Sequence, residues 1–488
     1  MVKLAQYSIR SKQEYIFRTN AMRQIQGGSA LISKAWDMLI DSAKSVGLKV
    51  KELNELDDSF PTDPNAAFEG GYDMVDLFRG GGNDTVLFRD ENAFRVANGA
   101  FTRTLLEKAP GMIPMCVGVD ATLDYRKDWE NLMKESEKIK NSMMPGRSIA
   151  MMPFSQMDRK TFQPIVTASG TELSAEALAK QDASKGDTSI TKENRMLDDM
   201  LKKNDSKSLL AVIHADGNNM GAKIIKLLGE ETDYSVCIPL MRKFTRCTAQ
   251  AFTGDEVVSR IEKLGHKLRW IIKDGDDVTL VCDAHDAEKI AVEYLKAVSE
   301  QQADIGGKKF NYNSCAGICI FHSHFPFSTA YALADDACRN AKRKVHGTGD
   351  DGIIEESWLD YHFIHYGVGG DLQKIRLEHG TNSRMARPLG VCCKESECFT
   401  VYRIKELRRI VYGGELSISR SNLKTISAEW ERDMNEGLAD MERVYFRTPG
   451  LREALTDLFV TDGNILKAIY DLTEVYDIEW FKDEVDEK

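Results

Sequence analysis

The sequence predicts an α+β protein built from two ferredoxin-like βαββαβ units, a helical region joining them, and a helical C-terminal domain. Two observations carry this: the order strand, helix, strand, strand, helix, strand occurs twice, and each copy places a glycine-bearing turn between two β-prone runs. A third bounds it. At 488 residues, with 42% hydrophobic and 29% charged side chains, the chain exceeds one ordinary core and has the composition of a folded soluble protein.

The first copy, residues 1–125, opens with the β-prone run LAQYSI. Leu31, Ile32, Ala35, Trp36, Leu39 and Ile40 then recur at helical spacing. MVDLFRGGGNDTVLF reads as a hairpin, and a helix at 91–108 and the strand MIPMCVGVD complete the unit. Residues 126–207 form a polar connection containing Pro145, Gly146, Gly170 and a lysine-, serine- and aspartate-rich stretch at 180–195, expected to be mobile with helical flanks. The second copy, residues 208–350, repeats the order. SLLAVIHAD is a nearly continuous apolar strand, a helical region runs through 257–263, and KLRWIIKDGDDVTLVCDA is strand, acidic tight turn, strand. A helix at 286–302, the strand NSCAGICIFH and an amphipathic helix at 326–345 follow. Residues 351–488, with VYRIKELRRIVY and ALTDLFVTDGNILKAIYDLTEVY, read as a mostly helical domain.

Composition excludes several classes. With 65 basic against 76 acidic residues, the net charge of −11 argues against a protein that coats polyanions, so contact with nucleic acid requires a local patch. None of the ten cysteines forms a C-x2-C pair; Cys392, Cys393 and Cys398 come nearest and read as reduced thiols, so no structural zinc is expected. No apolar run of about 18 residues and no secretory pattern is present, which predicts no membrane span and a cytoplasmic location.

The chemistry points to the second copy. Asp216 ends a buried strand, and Asp276 and Asp277 lie at the tip of the next central hairpin, 60 residues after Asp216. In such a sheet the two strands are neighbours, so the carboxylates converge and repel unless a cation neutralises them. Mg2+ (or Mn2+) suits oxygen ligands and retains positions for water and phosphate, and two such ions can activate a hydroxyl and stabilise departing pyrophosphate. Gly217 and Gly221 lie around a strand-to-helix turn whose N–H groups can face a triphosphate, and Lys342 offers a cation for the same phosphates. Alone, a DGDD sequence is a solvated turn and Lys342 a surface side chain. Their combination, in order and on the expected elements, is what carries the reading.

These segments resemble the large palm-containing subunit of type III CRISPR effector complexes, the CRISPR polymerase family. HADGNNMG resembles that family's D-G-D-N-x-G motif, KDGDDVTLVC its G-G-D-D hairpin, and CAGICIFHSHFPFSTAYALADDACRNAKRK the strand, turn and helix that follow. QEYIFRTNAMRQIQGGSALIS resembles the first palm, and NSRMARPLG an R-P motif beyond the second. A remoter similarity links the hairpin and following helix to diguanylate cyclases. The resemblance implies two palm domains and a cytoplasmic cyclase of antiviral defence. It would join ATP by 3′-hydroxyl attack on an α-phosphate into cyclic oligoadenylates. On it, Asp216, Asp276 and Asp277 are catalytic metal ligands and Gly217 lends its backbone. Gly275, Asn219, Ser314 and Lys342 are then nucleotide contacts. Its implied partners are ATP or another NTP, guide-RNA complex subunits, and RNA through a local basic patch.

Departures are equally visible. Asp274 stands where that hairpin usually has glycine, crowding incoming phosphates, and Asn218 replaces the second acid of the first-strand motif. No aspartate ends the opening strand of the first copy, where Ser8 to Ser11 stand, so the metal site is assigned to the second copy alone. Gly81, Gly82, Asn83 and Asp84 stay open between a structural turn and contact with a second nucleotide across the cleft. The given sequence starts directly in the first palm and its linker lacks zinc-module cysteines, so the family's nuclease domain and zinc module are expected to be missing. His322 and His324 read as a structural pair, His214 as a satisfied core histidine, and Arg403, Lys405, Arg408 and Arg409 as a solvated helix face, with RNA contact the alternative. Besides the cyclase, two readings remain: a catalytically weak palm scaffold of an RNA-guided complex, and a stand-alone cyclic (di)nucleotide synthase.

Overall fold

Alternating burial makes the first sheet. In β1 (Lys3–Arg10), Ala5, Tyr7 and Ile9 enter one core while Leu4 enters another, because successive side chains of a strand point to opposite faces. The computed structural model describes residues 1–53, 58–143, 155–159, 161–166, 172–186, 197–202, 207–346, 348–349, 352–365, 370–378, 383–394 and 397–482. Pro145, Gly146, Gly170 and residues 187–195 of the polar connection lie outside them. After β1 come α1 (Lys12–Phe17), α2 (Met22–Ser33), α3 (Ala35–Ser45), β2 (Val50–Lys51), β3 (Met74–Gly80), β4 (Asn83–Phe88), α4 (Glu91–Lys108), β5 (Ile113–Asp120) and α5 (Tyr125–Ser142). The strand order is β2-β3-β4-β1-β5, with β1 antiparallel to both neighbours. In the connecting region α6 (Ala175–Ala183) is docked on the first palm: Lys180 is buried in an ion pair with Glu176 at 2.6 Å, and Glu176 also binds Arg18 at 2.6 Å.

The second sheet repeats this design. It is built on β6 (Leu209–Gly217), followed by α7 (Met220–Leu228), α8 (Tyr234–Thr253), α9 (Asp255–Glu262), β7 (Leu268–Asp274), β8 (Asp277–Asp283) and α10 (Ala287–Ser299). A small hairpin, β9 (Gln302–Ile305) and β10 (Lys308–Asn311), precedes β11 (Ser314–His322) and α11 (Phe327–Lys342). Leu209, Ala211, Ile213 and Ala215 face a core shared with α10 and the C-terminal helices. Leu210 and Val212 face a core shared with α2, α4 and α11. Burial on both faces explains the continuous apolar run of β6. The order β3-β4-β1-β5 recurs as β7-β8-β6-β11, so the duplication in sequence is a duplication in space. Ser8 stands opposite Asn83 as Asp216 stands opposite Asp277. Three residues later each copy has a left-handed residue at the helix start, Ser11 (φ 50°) before α1 and Asn219 (φ 57°) before α7.

Residue 350 is not where this sheet ends. After β12 (Thr348–Gly349) and β13 (Gly352–Ile353), β14 (Ser357–Phe363) pairs parallel to β11, and β15 (Leu389–Cys392), beyond α12 (Leu372–Glu378), pairs antiparallel to β14. The expectation of a mostly helical domain from 351 onward did not include these strands, for a physical reason. Asp360 interrupts the apolar run of SWLDYHF, yet it is fully buried because Arg376 grips both its oxygens at 2.8 and 2.9 Å. The hairpin β9–β10 is a further element that the expected order did not include; it starts at Gln302, and the helix expected at 286–302 ends at Ser299. The chain closes with α13 (Val401–Tyr412), α14 (Arg420–Arg432), α15 (Met434–Arg447), α16 (Leu451–Phe459) and α17 (Asp462–Glu474), which share one core with the sheet. Among the described residues no helix is long and apolar enough to cross a membrane.

Arg387, in the R-P segment, locks these helices to the sheet. Its fully buried guanidinium pairs with Glu474, lies 3.7 Å from Asp471 and sits 4.1 Å from the centre of the Tyr361 ring. Asp471 also accepts the N–H groups of Ala386 and Arg387 at 3.0 and 2.8 Å. Burial raises the Asp471 carboxyl to about 6 even with Arg387 opposing it. Arg387→Ala leaves two buried acids uncompensated and is expected to cost about 3–5 kcal/mol, measured by urea unfolding.

Candidate active site

The backbone ladder brings the acids together. Asp216 and Asp277 are direct cross-strand partners on β6 and β8, and the Gly217 N–H donates to the Asp276 carbonyl at 3.2 Å. Only glycine fits at 217: a Cβ there would lie 2.7 Å from the Asp276 Cβ and 2.9 Å from the Phe252 ring. Lys342, in the last turn of α11, donates to Asp216 Oδ2 at 2.6 Å and to the Gly217 carbonyl at 2.8 Å.

The electrostatics record the strain of this convergence. Burial, reinforced by the Asp216 charge, raises Asp276 to about 7. Burial raises Asp277 to about 6, with His214 opposing and Asp216 adding. Asp277 Oδ1 is buried and makes no hydrogen bond. Burial works against the charge of Lys342, but Asp216 outweighs it and the ammonium pKa stands above its usual value. His214, two residues before Asp216 and on the same face of β6, is buried with Nδ1 3.1 Å from Thr279 Oγ1. Its ring nitrogens lie 3.7 Å from Asp277 and 3.6 Å from Asp335, so this core histidine is also a neighbour of the site. Among the described residues no three His, Cys, Asp or Glu side chains form a ready metal cage. The set is instead an open group of hard oxygen donors, the kind that holds Mg2+ through one or two carboxylates and leaves the remaining positions to water and phosphate.

Not every residue expected here arrives. Asp216, Gly217, Gly275, Asp276, Asp277 and Lys342 converge, and the first-copy tip, Gly81 and Gly82, meets the second at Asp274 and Gly275. Ser314 is fully buried on β11 opposite Gly217, on the face it shares with Ala316 and Ile318 and not on that of Asp216. The Asn219 amide donates to the carbonyls of Val345 and Ile354 at 3.3 and 3.2 Å. Asn218 is spent likewise on the Glu356 carbonyl at 2.8 Å. Asp84 is completely buried with Asp76 beside Arg79, not in the cleft, while Asn83 pairs with Ser8. His322 and His324 form a local turn pair, the His324 N–H donating to His322 Nδ1 at 3.3 Å. Three members of the basic run are engaged, Arg403 with the Leu458 carbonyl, Arg408 with the Trp480 carbonyl at 2.9 Å and Lys405 with Glu288 at 3.6 Å, while Arg409 is exposed and pairs with Glu406 on its own helix.

Two lysines escaped the sequence reading. Lys12 reaches Asp274 from the first copy, 262 residues away, and no local pattern announces it. Lys223, on α7, is buried over the Tyr312 ring at 5.4 Å; burial lowers its pKa to about 8 against the pull of Glu355 and Asp276. Its place one helical turn after Asn219 was the available signal.

Comparison with known proteins bears on the fold. Residues 209–349 match the family model described as Cas10/Cmr2, second palm domain. No curated protein matches the chain. Among solved structures, the chain is similar to Csm1 in T. onnurineus, with 13% identity and a TM-score of 0.55 over 97% of this chain and 69% of that one. It is similar to a Csm1-Csm4 cassette in complex with one ATP, with 12% identity and a TM-score of 0.56 over 99% and 70%. For a cassette in complex with cA4 the values are 11% and 0.53 over 97% and 69%. At such identities the likeness shows the fold: an α+β chain with palm domains.

The raised carboxyls fix a pH dependence. Native Asp276 and Asp277 hold protons that the unfolded chain has already lost between about pH 4 and 7, so stability of the metal-free protein falls as pH rises through that window. Thermal melts should show a lower Tm at pH 8 than at pH 5. Mg2+ should raise Tm more at pH 8, and Asp276→Asn should flatten the slope.

Proposed function

Because residues 209–349 belong to the Cas10/Cmr2 second palm family, we propose that this chain is a nucleotidyl cyclase converting ATP into cyclic oligoadenylates with release of pyrophosphate. One observation carries the reading. Lys342 places a cation between Asp216 Oδ2 and the Gly217 carbonyl, beside Asp276 and Asp277, which are short of positive charge. The buried, unbonded Asp277 Oδ1 fits a missing cation partner. Asp216, Asp276, Asp277 and the Gly217 carbonyl would hold Mg2+ or Mn2+. Bound there, the metal supplies acidity to a 3′-hydroxyl and neutralises phosphate charge.

The chain's own residues do the rest. The pairing of Asp216 with Asp277 fixes the carboxylates before substrate arrives, so little reorganisation is needed at reaction. Lys342 can exchange Asp216 for the triphosphate, which draws its charge toward the leaving pyrophosphate. The new bond joins O3′ of one nucleotide to Pα of the next, and the bond from Pα to the bridging oxygen breaks. Relatives crystallised with ATP, cA3 and cA4 support adenine as the base and a ring as the product. The Csm1-Csm4 cassettes among them support a companion subunit here. A second reading, a palm scaffold with weak turnover, is favoured by Asp274, an acid at the tip facing incoming phosphate.

The experiment is incubation with each labelled NTP plus Mg2+ or Mn2+, followed by mass analysis of products. Cyclic oligoadenylate is expected from ATP. Asp216→Ala and the Asp276→Ala, Asp277→Ala pair should each lower its yield by at least about 100-fold. ATP binding without product in every condition favours the scaffold.

A further inference from the structure

The two palms meet tip to tip at a cation. Gly275 in the second-copy turn (φ +63°) lies so close to the first that a Cβ on it would be 3.4 Å from the Gly81 nitrogen. A Cβ on Gly82 would overlap Lys12 Nζ at 1.4 Å and approach Asp274 Oδ2 at 2.5 Å. The bare glycine tip of the first copy therefore leaves a slot, and the ammonium of Lys12 fills it. Lys12 Nζ lies 3.5 Å from Asp274 Oδ2 and 3.4 Å from the Gly81 carbonyl. Both contacts are at the long limit of hydrogen bonding, so the ammonium is held loosely and is free to re-aim by a small movement. It belongs to the first turn of α1, at the strand-to-helix junction of the first palm. Its charge reaches the second-palm cluster as well: the Asp277 carboxyl, raised chiefly by burial, is drawn down in part by Lys12.

Charge balance gives the pair a purpose. Asp216, Asp274, Asp276 and Asp277 all lie at this tip, and Lys342 already serves Asp216. A triphosphate approaching Asp274 meets a like charge unless that carboxylate is compensated, and Lys12 is its ion-pair partner in the structure. Both side chains remain partly open to solvent, Lys12 at 22% and Asp274 at 36%. A ligand can therefore reach the pair.

We propose that Lys12 is a phosphate ligand supplied by the first palm to the nucleotide site of the second, and that Asp274 is the counter-ion that positions it. The assignment rests on the nucleotide-binding part of the reading above. It also gives the departure at Asp274 a role: the acid aims a cation across the palm interface, so the site is complete only with both palms present.

The test is calorimetric binding of α,β-methylene-ATP with Ca2+, so that turnover plays no part, to the parent, Lys12→Ala, Lys12→Met, Lys12→Arg and the double variant Lys12→Ala, Asp274→Asn. Circular dichroism melts check each fold. Lys12→Ala and Lys12→Met should weaken binding about tenfold and Lys12→Arg should restore most of it. The double variant should lose less than Lys12→Ala, because the uncompensated acid is gone. Parent and Lys12→Met binding equally would overturn the inference while leaving the nucleotide site intact. A double variant as weak as the single would overturn the counter-ion role of Asp274. A parent that binds no nucleotide would overturn both this inference and the reading beneath it.

Discussion

The pairing of β6 with β8 is the constraint on which the site depends. Backbone hydrogen bonds set Asp216 opposite Asp277, and the Gly217 N–H fixes the Asp276 carbonyl, whatever the carboxylates themselves prefer. Acids so arranged favour protons or cations, as the raised pKa values of Asp276 and Asp277 record. The local electrostatic cost is met by apolar burial on both faces of β6, between the core shared with the C-terminal helices and the core shared with the first palm. Those two cores make the remote parts of the chain a support for four side chains.

Duplication supplied the frame and divergence separated the roles. Both copies retain the strand order and the left-handed helix start, but Ser8 and Asn83 stand where the second copy has Asp216 and Asp277. The first palm therefore lacks this acid pair and contributes a glycine tip and a lysine. The C-terminal helices extend the same logic outward. Through Arg387, Asp471 and Glu474 they fasten the far strands of the second sheet. Lys405 and Arg408 are used in the same packing, against Glu288 and the Trp480 carbonyl.

The central part of this architecture was legible in the sequence because it is local. A nearly continuous apolar strand ending in Asp216, and an acidic turn at Asp276 and Asp277, identify neighbouring strands by order alone. Residues whose meaning depends on remote partners were not legible. Asp360 disguises a buried strand because its partner Arg376 lies on another element, 16 residues later, and Lys12 acquires its role only from Asp274. Ser314 shows a different limit. A motif says nothing of facing, whereas alternation with Ala316 and Ile318 sets Ser314 on the other face of the sheet from Asp216. His214 is the reverse case, since two-residue spacing from Asp216 already put both on one face.

The most direct test of this account is a calorimetric Mn2+ titration of the parent and Asp276→Asn at pH 6, where Asp276 and Asp277 still hold protons, in two buffers of different ionisation enthalpy. If the ladder holds acids in wait for a cation, the parent should bind Mn2+ with proton release and the variant should bind more weakly with less release. Equal affinity and equal proton release in both proteins would contradict the account, because the convergence of Asp216, Asp276 and Asp277 would then have no cation to explain it.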